Sequence, residues 1–476
     1  MAGRFLSLFG PPSRFLPEVS SPTRKVSFNE KLFWTALALI IYLVMGRISL
    51  FNVGGGGMQL ESLRIIFASS RGTLTELGIG PIVTGGLILQ LLIGSSIVSA
   101  DLSNSEDRSL FTAAAKVFSI VFTGVQASAY IISGMYGALD AVTSVIVFAQ
   151  LLCAGLVLIL LDEMLQKGWG IGSGISLFIL AGVAQTIMWS SFSPIGPVSD
   201  GKHYGAFIAL GETILNGEPL MNAFFRYGTS DGTRTLTNDP SMLGFITTVV
   251  VFIIVIYLEG VRVELPISHA NYRGFRGKYP VKLLYVSNLP VIFASALFAN
   301  VYVFAQLLHS QFPNNFWVNL LGTFGGEQGT TLTGGLAYYV TAPNSIAQVI
   351  ADPVRALVFA GVMVTFAVIF SLTWLEVGGL GPSTVAQQLV DSGMQIPGFR
   401  RSGKSIEMIL KRYIPVVTVL GGAIIGLIAA VSGFFGVFGT GTGILLAVGI
   451  LYQYYQLLVQ EQVAEMYPAL CRVLGG

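Results

Sequence analysis

The chain has 476 residues, of which 53% are apolar and only 11% charged, and its mean hydropathy of +0.73 excludes a water-soluble protein. A soluble core stops growing near roughly 250 to 300 residues, whereas a bilayer solvates apolar helix faces along any length of chain. The net charge of +2 implies no nucleic-acid partner by itself, and the two cysteines, Cys153 and Cys471, offer neither a disulfide framework nor a metal site.

In chain order, residues 1–32 form a polar, cytosolic N-terminal segment broken by Pro11, Pro12, Pro17 and Pro22, with no cleavable signal expected. Apolar runs of about 20 residues, the length that crosses hydrocarbon, then predict ten spans. They fall at 33–51, 76–98, 113–134, 143–164, 172–193, 243–260, 286–309, 354–375, 414–434 and 441–460. With ten spans both termini share one side, and that side carries 19 of the 26 Lys and Arg, so both termini are expected to be cytosolic. The long polar connections at 194–242 and 310–353 face the opposite side.

Cutting the chain after the fifth span exposes an internal repeat. Gly170-Ile-Gly-Ser-Gly-Ile-Ser-Leu177 echoes Gly439-Thr-Gly-Thr-Gly-Ile-Leu-Leu446, and Pro81-Ile-Val echoes Pro290-Val-Ile. Five is odd, so the halves run through the membrane in opposite senses. The expected fold class is therefore all-α, with ten transmembrane helices in two inverted five-helix halves, 33–193 and 243–460, joined by 194–242 and followed by a cytosolic tail, 461–476.

No enzyme is expected. The histidines His203, His269 and His309 are dispersed, and the chain has no HExxH, no GxSxG and no carboxylate pair inside a span. Asp162, Glu163 and Glu376 fall at predicted helix ends, where capping or solvation explains them. One motif misleads: Gly398-Phe-Arg-Arg-Ser-Gly-Lys-Ser405 satisfies GxxxxGK[ST]. That pattern cradles phosphate only between a buried strand and a helix of a nucleotide-binding domain. Here Met394-Gln-Ile-Pro-Gly precedes it, and the 376–413 connection is too short for such a domain, so a basic docking loop is expected and no cofactor. An inverted-repeat transporter of a small solute stays open as an alternative, although the ionisable groups such proteins bury at mid-membrane are almost entirely missing from the span centres.

Four long segments carry a resemblance over nearly the whole chain. They are Leu16-Pro-Glu-Val with Arg24-Lys-Val, Arg71-Gly-Thr-Leu-Thr-Glu-Leu-Gly-Ile-Gly-Pro-Ile-Val, Leu161-Asp-Glu-Met-Leu-Gln-Lys-Gly-Trp-Gly-Ile-Gly-Ser-Gly-Ile-Ser-Leu-Phe, and Glu264-Leu-Pro-Ile through Tyr272-Arg-Gly to Tyr285-Val-Ser-Asn-Leu-Pro. Together they resemble the eukaryotic α subunits of the Sec translocon, in the SecY family of protein-conducting channels. The resemblance implies a clam-shell channel of the endoplasmic reticulum membrane with an aliphatic waist at Ile79, Val83, Ile175, Ile179, Ile292 and Leu446. Such a collar dewets and yields sideways to a polypeptide, which a charged ring or carbonyl filter does not.

It further implies a plug within 52–72, where Gly54-Gly-Gly-Gly57 precedes an amphipathic piece bearing Leu60, Leu63, Ile65 and Ile66. A lateral gate is expected between the second and third and the seventh and eighth spans, with Thr84, Gln126 and Asn300 as its polar cluster. Ribosome contact is expected at Arg273, Arg276, Arg400 and Arg401, with Arg401 an alternative to Arg400 because the acidic residue that usually follows is missing. The implied partners are two small single-span subunits (β and γ), the ribosome, nascent polypeptides and their signal sequences, accessory Sec subunits with a lumenal chaperone, and lipid. Energy then comes from outside the chain, which carries no motor.

Overall fold

The computed structural model describes residues 11, 16–53, 72–94, 98, 105–133, 136–137, 139–198, 200–230, 233–269, 276–284, 286, 289–313, 315–325, 331–391, 394–395 and 403–466. Ten principal helices lie among them: α1 (Phe28–Met45), α2 (Gly80–Gly94), α3 (Ser105–Ile132), α4 (Ala141–Met164), α5 (Gly174–Phe192), α6 (Met242–Gly260), α7 (Leu289–Gln311), α8 (Pro353–Val377), α9 (Gly403–Phe434) and α10 (Gly441–Met466). All except α2 are long and apolar enough to cross a bilayer. Each matches one of the ten expected spans, with shifted ends.

The shifts have local causes. α1 begins at Phe28 rather than Phe33 because Ser27 Oγ accepts from the Glu30 N–H (3.4 Å), an Ser-x-x-Glu start that recruits polar residues into the first turn. It stops at Met45 rather than Phe51, and the chain then pairs with itself: Leu50 N–H donates to Gly72 O (2.8 Å) and Leu74 N–H to Ile48 O (3.0 Å). α2 starts at Gly80, not near residue 76, because the preceding turn needs Gly78 at φ +54°, which only glycine adopts without strain, and Pro81 then favours a helix start at its own position.

A lipid-facing helix needs only a narrow protein-facing stripe, and α6 shows one. Gly244, Thr248, Val251 and Val255 are buried at helical spacing while Ile246, Val249, Val250, Ile253, Ile254 and Ile256 are exposed. Elsewhere small residues set the approach: a Cβ on Gly441 would collide with Ser432 Oγ and Ala429 O, so α10 leaves α9 in near-backbone contact.

Within the all-α body the connections add short strands. β1 (Tyr227–Ser230) and β2 (Thr233–Leu236) form a hairpin between α5 and α6. β3 (Arg262–His269) and β4 (Arg276–Lys282) form a second between α6 and α7; β5 (Thr323–Gly325) pairs with β6 (Thr331–Gly334) between α7 and α8. β7 (Met394–Gln395), from the α8–α9 connection, adds to β3 through Ser268↔Gln395 and His269↔Met394. Outside hydrocarbon the backbone is free to pair between strands, and the search for long apolar runs does not see such short elements.

Two apolar cores meet across the halves. The first joins α1, α4 and α5 through Tyr42, Leu158, Phe178 and Val183, and takes in Leu446, Ala447 and Ile450 of α10. The second joins α7, α8 and α9 through Phe293, Phe298, Met363 and Ala429, and takes in Leu87 of α2. α5 and α10, the helices that carry the Gly-rich repeat, pack antiparallel: Gly439, just before α10, lies against Val183 midway along α5, while Tyr454, midway along α10, reaches Ser173 before α5.

Candidate functional site

The collar residues come from four separate helix starts. Ile79 and Val83 bracket the beginning of α2, Ile175 and Ile179 occupy the first turns of α5, Ile292 the first turn of α7, and Leu446 the second turn of α10. Every one of these starts follows or contains a Gly or Pro elbow. Gly78, Gly172 and Gly439 sit at positive φ (54°, 74° and 81°), and Pro81 and Pro290 are each the second residue of their helix. Val83 and Ile292 therefore stand at the same place relative to their prolines, two residues on, as the repeat places them.

All six side chains belong to one apolar cluster. Ile79, Ile179 and Leu446 are fully enclosed in it (0%, 1% and 0% exposed), and Val83, Ile175 and Ile292 pack against it half-buried. Val83 also packs against the core of the second half, so the cluster lies where the halves meet. The six collar side chains are all aliphatic, so the place where they meet can exclude water and ions.

Beside it runs the polar seam. Gln126 Nε2 of α3 donates to Asn300 Oδ1 of α7 at 3.3 Å, and Asn300 Nδ2 donates to Thr84 Oγ1 of α2 at 3.3 Å and to Ala296 O at 2.9 Å. One amide thus ties three helices from two halves, and α2 also packs against α8, so the seam is shut. The three polar residues picked from sequence are brought together by the fold.

The remaining picks are placed less fully. Leu60, Leu63, Ile65 and Ile66 lie outside the described residues, but the two ends of that segment are tied by the Ser49↔Thr73 bridge. Arg273, Arg400 and Arg401 also lie outside, and Arg276 begins β4 opposite Ser268. Pairing of β3 with β7 nevertheless joins the two loops that carry them, because β3 ends at His269 and β7 at Gln395.

Met394–Gln395 is a strand where none was expected ahead of the phosphate-loop lookalike. It is two residues long and antiparallel to a hairpin edge, and Gly403-Lys-Ser405 opens the 32-residue α9, which runs into the apolar span. Residues 396–402, between that strand and α9, lie outside the described residues. Among the described residues no cluster of three or more His, Cys, Asp and Glu could hold a metal.

Of two polar centres, sequence reading gave the first only a general capping or solvated role at a helix end and missed the second. Asp162, buried at the end of α4, accepts from Ser173 Oγ (3.2 Å), the Ile175 N–H (3.1 Å) and Gln166 Nε2 (2.8 Å), so it caps the next helix and not its own. Arg226, in the α5–α6 connection, grips Asp200 with two bonds of 2.7 Å and the carbonyls of Tyr204, His203 and Pro240. The signal for the first was Asp162 itself at a predicted helix end, eleven residues before Ser173 of the Ser-Gly-Ile start. The second had none, because both partners sit in a loop of irregular pattern.

Comparison with known proteins agrees with this architecture. Residues 73–455 match the sequence profile of SecY. A solved structure of a protein-conducting channel superposes with a TM-score of 0.80 at 38% identity, covering 96% of this chain and 98% of its own. A SecY structure concerned with the plug domain, which stabilises the closed state of the translocation channel and maintains a membrane seal, gives 0.78 at 38% identity, with 96% and 98% covered. Sec61 from the canine ribosome–channel complex of the endoplasmic reticulum gives 0.78 at 37% identity, again over 96% and 98%. With a profile match spanning most of the chain and near-complete overlap with these structures, the chain belongs to the SecY family.

Proposed function

We propose that the chain is the pore-forming subunit of a protein-conducting channel in the endoplasmic reticulum membrane, with both termini cytosolic. It passes secretory polypeptides between its two halves and releases apolar segments sideways into lipid. The observation that carries this reading is the meeting of six aliphatic side chains from four helix starts in one cluster, beside a shut polar seam. The Sec61 and SecY likenesses support it. Two small single-span subunits, the ribosome, accessory Sec subunits and a lumenal chaperone are the partners it needs, since the chain itself supplies a passage and no motor. Reconstituted vesicles test it: a secretory precursor is expected to reach the lumen, and saturable uptake of a small solute without precursor passage overturns it.

The seam sets how apolar a segment must be to open it. Asn300→Ala removes both interhelical bonds, each about 0.6 kcal/mol. A central Leu, Ile, Phe or Val contributes roughly 0.3 to 0.6 kcal/mol to insertion. The variant is therefore expected to accept signal segments with about two to four fewer leucines. A series of signal sequences of graded leucine content measures this threshold, and an unmoved threshold removes Asn300 from the gate.

The paired loops serve as one ribosome-docking platform. Their arginines suit RNA phosphates, which guanidinium groups grip in a bidentate fashion. Reversing charge at Arg273 and Arg400 together is expected to weaken ribosome binding and flatten its dependence on salt. Equal affinity at every salt concentration takes those residues off the contact surface.

A further inference from the structure

Between α4 and α5 the chain turns through Gly170–Ser173, and three different helices hold this elbow by its backbone. Thr35 Oγ1 of α1 accepts from the Ile171 N–H at 3.0 Å. The Tyr454 hydroxyl of α10 donates to Ser173 O at 2.8 Å. Asp162 of α4 accepts from the Ile175 N–H at 3.1 Å and from Ser173 Oγ at 3.2 Å. Gly172 takes φ +74°, and a Cβ on Gly174 would come within 2.7 Å of the Asp162 backbone, so the elbow is pressed flat against α4.

The donors on Asp162 are all neutral, and the carboxylate sits at the N-terminus of α5, where the aligned peptide dipoles favour negative charge. What this cap determines is register. Ile175 and Ile179 are four apart and share a face, and a helix turns about 100° per residue. A cap displaced by one residue therefore swings both collar side chains out of the cluster.

We propose that Asp162, with Tyr454, is a positioning residue of the collar. It pins the first turn of α5 so that Ile175 and Ile179 face the cluster, and Tyr454 locks the same turn to the second half. This deepens the reading of the six residues as the channel seal and rests on it. Asp162→Asn keeps an oxygen for the Ile175 N–H, with the Gln166 amide turned over to match; Asp162→Leu removes the acceptor at similar volume.

The test uses the full chain with Cys153→Ser and Cys471→Ser, reconstituted in vesicles and planar bilayers. Single cysteines at 175, 176, 179 and 180 are scanned with a water-soluble maleimide. In Asp162→Leu the reactive positions are expected to shift around the helix and closed-channel ion conductance to rise at least about tenfold, the value of one charge-assisted hydrogen bond. Asp162→Asn restores the pattern, and Tyr454→Phe, which loses only a hydroxyl, gives a smaller shift in the same direction. Loss of a merely structural contact raises reactivity at all four positions alike, and that outcome overturns the proposal. So does an unchanged pattern in both Asp162→Leu and Tyr454→Phe. Ile179→Asp measured alongside separates the levels: if it leaks and Asp162→Leu does not, positioning fails while the collar stands, and if neither leaks the collar reading fails with it.

Discussion

Replacing Ile179 with aspartate is expected to let ions through the closed channel. Ile179 is 1% exposed and meets the other aliphatic side chains of the collar, none of which can solvate a charge, so water is what answers it. A charged group held in hydrocarbon costs at least about 2.5 to 3.5 kcal/mol. The fold relieves that cost by drawing water to the carboxylate, and a hydrated collar conducts. Ile179→Lys is expected to wet the pore in the same way, whereas Ile179→Val, which keeps the surface apolar, stays sealed. Conductance of the resting channel in planar bilayers reads the difference directly. An Asp variant as tight as the parent places the seal elsewhere.

Arg226→Leu carries the largest expected cost in stability. Arg226 and Asp200 have side chains 1% and 3% exposed, and the guanidinium makes five hydrogen bonds that gather residues 200, 203, 204 and 240 around it. Removing it strips the buried Asp200 carboxylate of its charged partner, leaving it the Lys202 N–H (3.1 Å), and takes a donor from three carbonyls. Breaking one side of a buried pair costs about 3 to 5 kcal/mol. The α5–α6 connection is expected to loosen, seen as a lower unfolding temperature in detergent and faster proteolysis near the β1–β2 hairpin.

The same pair predicts a pH response. Burial opposes the charged form of Asp200, but the Arg226 bonds and charge outweigh it and hold the carboxyl below its ordinary value. A depressed carboxyl contributes stability that is complete above its unfolded value, near about 4, and is lost as pH falls through the folded one. Unfolding temperature is thus flat for this pair at neutral pH and declines in acid; Asp200→Asn removes that part of the decline. An acid limb identical in the variant rules the pair out as its source.

Much of the architecture was legible before any coordinates. Apolar runs located every span because a bilayer imposes a length on each helix, and the Gly and Pro elbows were visible as repeats. Their pairing was less legible. The matched Gly-rich octets suggest equivalent helix starts, yet α5 opens at Gly174 and α10 at Gly441, two residues out of step in that alignment, because α10 begins against α9 at a glycine that admits no side chain. The second span is shorter than its apolar run for a comparable reason, since Gly78 bends the chain ahead of Gly80.

Composition and spacing alone determined that this is a ten-span membrane protein in two inverted halves, while the collar and basic-loop positions followed from the resemblance to the SecY family. Only the tertiary structure decided which apolar faces meet. Hydropathy cannot make that choice, since lipid and protein interior are equally apolar and every face of a helix such as α5 reads alike. Gln126 and Asn300 lie 174 residues apart, and Tyr454 stands 281 residues from the carbonyl it binds. Contacts of that kind depend on how α3, α7 and α10 are packed, through close approaches of glycine and complementary hydrogen bonds, which leave no period in the sequence.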